Sequence, residues 1–467
     1  MALLKCNNCG EEFTGIPHNY RCKKCGGLLE YSYDYDKLKS SRFVGAFSFW
    51  RFRQLLPEVK NVVSLGEGGT PLHRARRLAK SMGLSNMYFK DETRNPTNSF
   101  RDRCASLLVS NALDLKYKVV VCATNGNMGA SLAAYCAKAG LSCHVVVPKN
   151  VDMGKMAQMF VYDAMIEEYG EIVDDALKRA EEIAKETGWY QGSVELNPLA
   201  IESLKTIAFE VFEQLGVPDW FIVSLGSGGT LYGVWKGFNE LKEMGWIDSL
   251  PKMVGVQAEG CAPIVNAYMQ NLAEPVPALK PSTHALAILV RNPSYGSLAL
   301  EAIRKSGGMA VSVSDEEIFL AERDLAKLEG VFAEPASAAT YAALKKLVNQ
   351  RIIGEDEKVA CLITGSGLKA TDVLQALTKK RKTTIMGLDL STKEKILRIL
   401  SDGDTYGYDL WRRLGKVMTR AAVYQHLNKL SERGLVTEYM QNGKRLFKIT
   451  GRGKRVLEAI DELRLLF

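Results

Sequence analysis

The stretch Trp220-Phe221-Ile222-Val223-Ser224-Leu225-Gly226-Ser227-Gly228-Gly229-Thr230 joins an apolar run to a turn rich in glycine. An apolar run of this length, bounded by a turn, is typical of a strand buried on both faces of a parallel sheet. Glycines cost chain entropy, and several in one turn are unusual unless a ligand must approach the backbone where a helix begins. The stretch therefore predicts a strand–turn–helix unit with an anion-binding turn.

Similar apolar runs recur along the chain between segments with helical periodicity. They lie at residues 118–122, 144–147, 253–256 and 359–363. Short continuous apolar runs that alternate with helices favour a parallel sheet covered on both faces. We predict an α/β fold class for the body of the chain, residues 31–377.

A second turn of the same kind follows the run that ends at Cys122, and it reads Ala123-Thr124-Asn125-Gly126-Asn127-Met128-Gly129-Ala130-Ser131. Small residues between a strand and a helix let backbone N–H groups converge on an anion. Taken alone, such a turn is more often plain helix capping. The turn at residues 226–230, taken alone, does not indicate whether the ligand is a nucleotide or another molecule that carries a phosphate.

The segment Lys90-Asp91-Glu92-Thr93-Arg94-Asn95-Pro96-Thr97-Asn98-Ser99-Phe100-Arg101-Asp102-Arg103 resembles a signature of threonine synthases. These are pyridoxal phosphate (PLP) enzymes of fold type II, in the tryptophan synthase beta-like superfamily. Other matching segments follow in order at 66–72, 204–206, 257–260, 334–339 and 364–369. Several motifs in order are far more specific for a fold than one glycine loop. The resemblance implies two doubly wound parallel-sheet subdomains that hold PLP.

The resemblance also implies roles for the two turns. Asn127 contacts the 3′ oxygen of PLP, Thr364 contacts the pyridine nitrogen, and the phosphate lies against Gly226, Ser227, Gly228, Gly229 and Thr230. The loop around Asn127 holds the substrate carboxylate in the family. We therefore assign substrate or anion binding to Arg101, Thr124, Asn125, Gly126 and Lys205.

Arg101 stands where the family has the lysine that forms the Schiff base with PLP. An imine needs a neutral amine, and a guanidinium stays charged and delocalised at ordinary pH. Loss of this group is expected to cost on the order of 10³-fold or more in rate. Three other lysines, Lys90, Lys205 and Lys369, match positions that are also lysine in the family. None of them is therefore an additional lysine that could replace the missing one. Any PLP is therefore expected to bind without a covalent bond.

Arg101 has two interpretations. It fills the lysine's place in a decayed enzyme, or its planar fork grips a phosphate or carboxylate. Other departures from the family also lie in the motifs of the reactive centre. Asn98 and Ser203 replace glycines, and Asn125 replaces a serine or threonine. The cofactor cradle is thus largely kept while the reactive centre is changed.

Residues 1–30 contain two C-x-x-C pairs, formed by Cys6, Cys9, Cys22 and Cys25, and each pair is followed by glycine. Four thiolates in this spacing close a tetrahedron around a structural zinc ion, with no open position for catalysis. A disulfide pair or a ribbon that has lost its metal are the alternatives. We favour a zinc ribbon, which many members of the resembled family also carry.

The remaining six cysteines are scattered in apolar surroundings and predict reduced thiols of a cytoplasmic protein. No apolar run is long enough to span a membrane, and the N-terminus has no signal-peptide pattern. We expect a homodimer.

Positive charge is concentrated at the C-terminus. Residues 378–467 hold 20 Lys/Arg and 10 Asp/Glu, whereas the rest of the chain holds 41 and 43. A basic unit on a neutral body suggests nucleic-acid binding. After a polar linker at 378–390, residues 391–467 predict three helices, a hairpin around Asn442-Gly443 and a last helix.

This C-terminal pattern is that of a winged helix–turn–helix and resembles PadR-like regulators. The third helix would enter the major groove and the hairpin would contact phosphates. The expected DNA-contacting residues are Arg420, Tyr424, Gln425, Lys429, Lys444 and Arg445. A docking or dimerisation module with a solvated basic face is the alternative.

Two functions are consistent with these observations. The first is a DNA-binding transcriptional regulator, in which a catalytically disabled threonine synthase-like body senses PLP, an amino acid or a phosphate-bearing ligand such as O-phosphohomoserine. The second is an active threonine synthase, which converts O-phosphohomoserine and water to threonine and phosphate. Arg101 favours the first.

Overall fold

A computed structural model describes residues 2–16, 20–370, 387–416, 418–441 and 443–465. The chain divides into two compact units, with the boundary between residues 371 and 372. Each unit is described by itself.

The first unit begins with a small antiparallel sheet of order β2-β1-β3. Its strands are β1 (Leu3–Cys6), β2 (Glu12–Phe13) and β3 (Leu29–Ser32). Its buried core consists of Leu4, Cys6, Cys22 and Leu29. The glycines that follow the cysteine pairs, Gly10 and Gly26, have φ values of 72° and 73°, which suit glycine in a tight knuckle.

The body contains two separate sheets. The larger has order β12-β11-β10-β13-β5-β4 and is parallel except for its edge strand β4. Its strands are β4 (Leu72–Arg74), β5 (Asn86–Asp91), β10 (Trp220–Ser224), β11 (Lys252–Ala258), β12 (Met309–Val313) and β13 (Lys358–Ile363). Every residue of β10 is buried, as the apolar run at 220–225 predicts.

The smaller sheet is parallel, with order β8-β7-β6-β9. Its strands are β6 (Val119–Ala123), β7 (Ser142–Val147), β8 (Met165–Glu168) and β9 (Tyr190–Gln191). The predicted α/β class with two parallel sheets is confirmed.

Helices connect the parallel strands. They are α1 (Tyr35–Leu38), α2 (Arg76–Met82), α3 (Arg101–Asp114), α4 (Asn127–Ala139), α5 (Met153–Val161), α6 (Val173–Thr187), α7 (Leu199–Leu204), α8 (Thr206–Leu215), α9 (Gly229–Glu243), α10 (Pro263–Met269), α11 (Gly296–Lys305), α12 (Asp315–Asp324) and α13 (Pro335–Asn349). Both glycine-containing turns lie directly before a helix, α4 or α9. Arg101 is the first residue of α3.

A buried ion cluster fixes α3 in place. Arg103 Nη2 pairs with Glu92 at 2.8 Å and Nη1 pairs with Glu210 at 2.6 Å. Lys90 pairs with the other oxygen of Glu210 at 2.6 Å, and all four side chains are fully buried. Buried charges persist only where partners satisfy them, so this cluster holds β5, α3 and α8 in one arrangement.

The second unit contains the C-terminal elements. They are α14 (Gly387–Asp402), β14 (Thr405–Tyr406), α15 (Gly407–Arg413), α16 (Arg420–Glu432), β15 (Val436–Gln441), β16 (Lys444–Ile449) and α17 (Gly451–Leu465), with a sheet of order β14-β16-β15. The hydroxyl of Thr419 caps α16 by accepting the Ala422 N–H. Val423, Leu427 and Leu430 are buried at the predicted spacing.

One boundary differs from our prediction. Residues 387–390, predicted as linker, already belong to α14 rather than preceding a helix that starts after 391. Residues 378–386 of the predicted linker, and Asn442 of the hairpin turn, lie outside the described residues. Intrinsic propensity does not explain the earlier start, because Gly387 and Asp389 are poor helix formers.

Candidate ligand site

A cavity lies at the carboxyl ends of parallel strands from both sheets. The predicted site residues that line it are Arg101, Thr124, Asn125, Asn127, Gly226, Ser227, Thr230 and Thr364. Gly126, Gly228 and Gly229 lie within the same two turns. Ligands of open α/β sheets bind at such strand ends, so this cavity is the candidate site.

The turn at residues 226–230 presents free N–H groups. Among the described residues, no atom accepts a hydrogen bond from the backbone N–H groups of this turn. The turn precedes the 15-residue helix α9, whose N-terminus favours an anion. Gly228 has φ 91°, and a Cβ there would lie 2.8 Å from the Tyr295 carbonyl oxygen. Glycine is therefore required by backbone packing as well as by backbone conformation.

The asparagine turn places Asn127 against a carboxylate. Asn127 Nδ2 donates to both oxygens of Glu334, at 2.9 and 3.0 Å. Its Oδ1 is buried and has no hydrogen-bond partner among the described residues. The neighbouring Gly126 has φ 115°, and a Cβ there would meet the Lys155 side chain at 2.5 Å. The amide is thus held in one orientation with one acceptor unsatisfied, which is unusual unless a ligand supplies a donor.

Two residues that sequence reasoning missed support this turn. Glu334, which lines the cavity, pairs with Lys155 Nζ at 3.3 Å, and Lys155 also pairs with Asp152 at 2.7 Å. Burial by itself would lower the pKa of Lys155, but Glu334 and Asp152 outweigh it and raise the pKa. The 334–339 motif was a signal for Glu334, whereas nothing local in the sequence indicates Lys155.

Arg101 lies in the cavity wall. Its guanidinium carbon is 4.5 Å from the centre of the Phe100 ring, a cation–π contact. Within the part of the chain that the structure describes, Arg101 forms no ion pair with a carboxylate. The charge of Arg101 also affects a neighbouring carboxyl group. Burial raises the pKa of Glu195, which lines the same cavity, and Arg101 partly offsets that rise. Arg101 is therefore a cation that is open to an anionic ligand.

The other departures from the family surround Arg101. Asn98 has φ 61°, a left-handed conformation that explains why glycine is usual at this position and why asparagine is tolerated there. Ser203 Oγ donates to the Cys104 sulfur at 3.1 Å. Burial raises the pKa of the Cys104 thiol, and Arg101 partly offsets this. Arg101 and the altered Asn125 both line the cavity, and Ser203 contacts Cys104, which responds to Arg101.

The prediction that Lys205 belongs to the anion site needs correction. Its ammonium pairs with Glu202 at 2.6 Å and with Glu240 at 3.0 Å, and it is fully buried away from the cavity lining. The adjacent ring of Tyr33 lies 4.0 Å away. Two carboxylates and a ring already satisfy this cation, so it is not available to a ligand.

Neither of the other two lysines considered lines the cavity. Lys90 belongs to the buried ion cluster, and Lys369 Nζ donates to the Thr97 carbonyl at 2.7 Å. Burial lowers the pKa of Lys369 to about 8, against the opposing effect of Asp102. Both amines are thus bound to acceptors within the protein, Lys90 to Glu210 and Lys369 to the Thr97 carbonyl.

The four cysteines form one cluster. Cys6 and Cys25 sulfurs are 3.4 Å apart, Cys9 and Cys22 sulfurs are 3.6 Å apart, and all four lie within 4.8 Å of one another. Sulfurs at this spacing fit a tetrahedral zinc ion with Zn–S distances of about 2.3 Å. The cluster would therefore hold zinc in a closed, structural site.

The predicted DNA-contacting residues share one property in the second unit: all are exposed. They are Arg420, Tyr424, Gln425 and Lys429 on α16, and Lys444 and Arg445 on the β15–β16 hairpin. Arg420 is held over the rings of Tyr408 and Trp411, at 5.4 and 5.2 Å. A helix and a hairpin that both present basic side chains suit the major groove and the flanking phosphates.

Comparison with known proteins agrees with this division of the chain. The family described as "Pyridoxal-phosphate dependent enzyme" matches residues 63–365, and the family described as "Transcriptional regulator PadR-like family" matches residues 396–459. The class is thus a PLP-dependent enzyme body joined to a PadR-like winged-helix domain.

The similar curated proteins narrow the class. The chain is 42% identical to a threonine synthase of Methanocaldococcus jannaschii over 411 residues, covering 85% of this chain and all of that protein. It is 43% identical to a threonine synthase of Methanosarcina acetivorans over 375 residues, covering 79% and 92%. The chain belongs to the threonine synthase family.

Among solved structures, an L-serine ammonia-lyase from Rhizomucor miehei is similar with TM-score 0.58 and 22% identity, covering 67% of this chain and 98% of that one. The processed threonine deaminase isoform 2 of Solanum lycopersicum follows with TM-score 0.57 and 21% identity, covering 66% and 82%. At these identities the likeness shows the fold alone.

Helices long and apolar enough to cross a membrane are absent from the described part of the chain.

Proposed function

We propose that this chain is a cytoplasmic, homodimeric DNA-binding regulator whose threonine synthase-like body binds a small ligand without forming a Schiff base. The single observation that carries the proposal is Arg101, a guanidinium without an ion pair among the described residues, at the position of the family's reactive lysine. A guanidinium cannot form the imine, but it binds carboxylate or phosphate with its planar fork.

The cavity residues fit PLP, which would supply an electron-withdrawing ring to an amino acid when bound. The N–H groups at 226–230 suit its phosphate, and the unsatisfied Oδ1 of Asn127 suits a hydroxyl donor on the ring. Arg101 would bind an anionic group, and Thr364 also lines the cavity. The same donors suit an amino acid or a phosphorylated amino acid, so these are the ligand classes that we propose.

The regulatory part of the proposal is tested with the full chain. Duplexes that bind are selected from a random-sequence pool, and the affinity for a selected duplex is measured with and without PLP, L-threonine and O-phosphohomoserine. A regulator is expected to show a change of about 5-fold or more with at least one ligand. Failure to bind any duplex would favour the docking alternative, and equal binding to all duplexes would contradict a sequence-specific regulator.

DNA binding is expected to fall steeply with salt, because basic side chains that neutralise phosphates release counterions. The double substitution Lys444→Gln and Arg445→Gln should reduce the slope of log affinity against log salt by about 2 units in magnitude. Lys448→Gln is the matched control and should change the slope less, since Lys448 lies on the same strand but pairs with Thr437, away from the end of the hairpin where Lys444 and Arg445 lie. Equal slopes for the double variant and the unmodified chain would remove the hairpin from the interface.

An active threonine synthase with a fused regulatory domain is the second candidate. The similar curated proteins are named threonine synthase, which favours this candidate, and their matches cover most of this chain. It requires another group to replace the lysine that Arg101 displaces. Covalent attachment of PLP separates the two candidates, because only an active enzyme requires it.

A further inference from the structure

We propose that the cysteine module, residues 2–32, positions the anion-binding turn at 226–230, so that zinc in the module and ligand in the cavity strengthen each other's binding. This inference rests on the proposed zinc and ligand sites. Two separate groups of contacts leave the module, and both lead to the cavity.

The first group of contacts joins the module to α9. Glu30 lies in β3, whose partner strand β1 ends at Cys6. Glu30 accepts a hydrogen bond from the Tyr232 hydroxyl at 2.8 Å and pairs with Lys236 at 2.8 Å. Tyr232 and Lys236 lie in the first two turns of α9, directly after the anion-binding turn. The strand that faces a zinc ligand is therefore bonded to the helix that carries the turn.

Packing continues from α9 to the turn itself. The Tyr232 ring stacks on the Tyr295 ring, with centres 6.4 Å apart and an interplanar angle of 26°. The Tyr295 N–H donates to the Ser227 carbonyl at 2.8 Å, and the Tyr295 carbonyl fills the space beside Gly228. Both tyrosines are more than nine-tenths buried. A displacement of Tyr232 would therefore be transmitted to the turn.

The second group of contacts comes from the residues just before the second cysteine pair. The Tyr20 hydroxyl accepts the Gln191 N–H at 3.1 Å. Arg21 donates to the Glu195 carbonyl at 3.5 Å. Glu195 lines the cavity and is close enough to Arg101 for its pKa to respond. The module thus also supports the loop that faces Arg101.

The module is too small to keep these contacts without metal. Two of the four residues of its buried core, Cys6 and Cys22, are zinc ligands. Small units of this kind fold only with their metal. Loss of zinc would release Glu30 and Tyr20 while the body keeps its own core. Because coupling is reciprocal, ligand in the cavity must raise zinc affinity by the factor by which zinc raises ligand affinity.

The test uses the full chain and PLP as the probe. The dissociation constant for PLP is measured by equilibrium dialysis with zinc bound, after removal by a chelator, and after zinc is restored. Removal is expected to weaken PLP binding reversibly by about 5-fold or more. Zinc affinity, from competition with a colorimetric chelator, is expected to rise by the same factor at saturating PLP. Equal PLP affinity with and without zinc overturns the inference.

Hydrogen exchange keeps the inference testable if PLP does not bind at all, a result that would count against the proposed ligand class. Zinc removal should then increase exchange of the Tyr295 N–H, which donates to Ser227, and of the Tyr232 N–H, which donates to Gly228, and should leave β13 unchanged. Unchanged exchange of these two N–H groups overturns the inference whatever the ligand is.

Tyr232→Phe isolates the positioning contact, because it keeps the ring and removes the hydrogen bond to Glu30. It is expected to abolish most of the zinc dependence of PLP binding while zinc still binds. Tyr35→Phe is the matched control: it removes a 3.2 Å hydrogen bond to Glu240, later on α9 and from outside the module. An equal effect of the two substitutions would mean general destabilisation of α9 and would overturn the role of Tyr232.

Discussion

Arg101→Lys is expected to convert the cavity into one that binds PLP covalently. The new amine would occupy the first position of α3, within the cavity that also contains Asn127 and Thr364. A helix N-terminus disfavours a protonated amine, which supplies the neutral form that an imine requires. Purified variant should gain a violet-region absorbance band that borohydride abolishes, approaching one pyridoxyl group per chain. Any conversion of O-phosphohomoserine should rise on the order of 10³-fold or more.

Two controls separate the amine from the loss of arginine. Arg101→Gln removes the cation without adding an amine and should give no reducible band. Adding Lys369→Met to Arg101→Lys should leave the band unchanged, because Lys369 bonds to Thr97 beneath the loop. A correctly folded Arg101→Lys variant that binds no PLP would show that the cradle residues themselves have lost their function.

Glu210→Gln is expected to be the most destabilising single substitution in the body, at about 3–5 kcal/mol of unfolding free energy. It removes the charge that balances Arg103 and Lys90, which are both fully buried. It also weakens the hydrogen bonds that the Glu210 carboxylate accepts from the N–H groups of Gly69 and Thr70. Chemical denaturation monitored by fluorescence measures the change.

Glu213→Gln provides the control within the same helix, α8. Glu213 pairs with Arg51 at 2.9 Å, but this pair reaches solvent. Exposed pairs contribute at most about 1 kcal/mol, so its removal should have a small effect. Equal losses for the two variants would contradict the role assigned to the buried cluster.

The same cluster predicts the acid response. Burial acts to raise the pKa of Glu210, but Arg103 and Lys90 outweigh it and lower the pKa to about 2. A carboxylate with a depressed pKa contributes stability that is present above its unfolded value of about 4.3 and is lost as the pH falls toward 2. Unfolding free energy should therefore decline between these values, and this decline should be smaller in Glu210→Gln.

The elements that sequence predicted well are those set by local pattern. The buried strand at 220–224 followed by a glycine turn, and the spacing of Val423, Leu427 and Leu430 on α16, depend on residues a few positions apart. Local periodicity determines such elements because one face of each must be buried. The start of α14 was misplaced because a capping residue can also lie inside a helix, and the residues before it, Gly387 and Asp389, gave no propensity signal for an earlier start.

The parts of the site that sequence did not indicate depend on distant contacts. Lys205 lies within a family motif, yet its ammonium pairs with Glu240, which lies on another helix. Glu195 lines the cavity and Lys155 pairs with Glu334 in its wall, and both come from segments without any local signal. Packing in three dimensions decides which charged groups contact each other. The local sequence pattern does not indicate these contacts.

The most direct test of the central claim is borohydride reduction of the unmodified, PLP-saturated chain, followed by intact-mass analysis and peptide mapping. We expect no pyridoxyl adduct above that of a chain in which PLP is competed away, together with reversible PLP binding by dialysis. A stoichiometric adduct on a lysine of the cavity region, with Lys369 as the first position to inspect, would contradict it. That result would make the chain a PLP enzyme with a displaced lysine rather than a receptor.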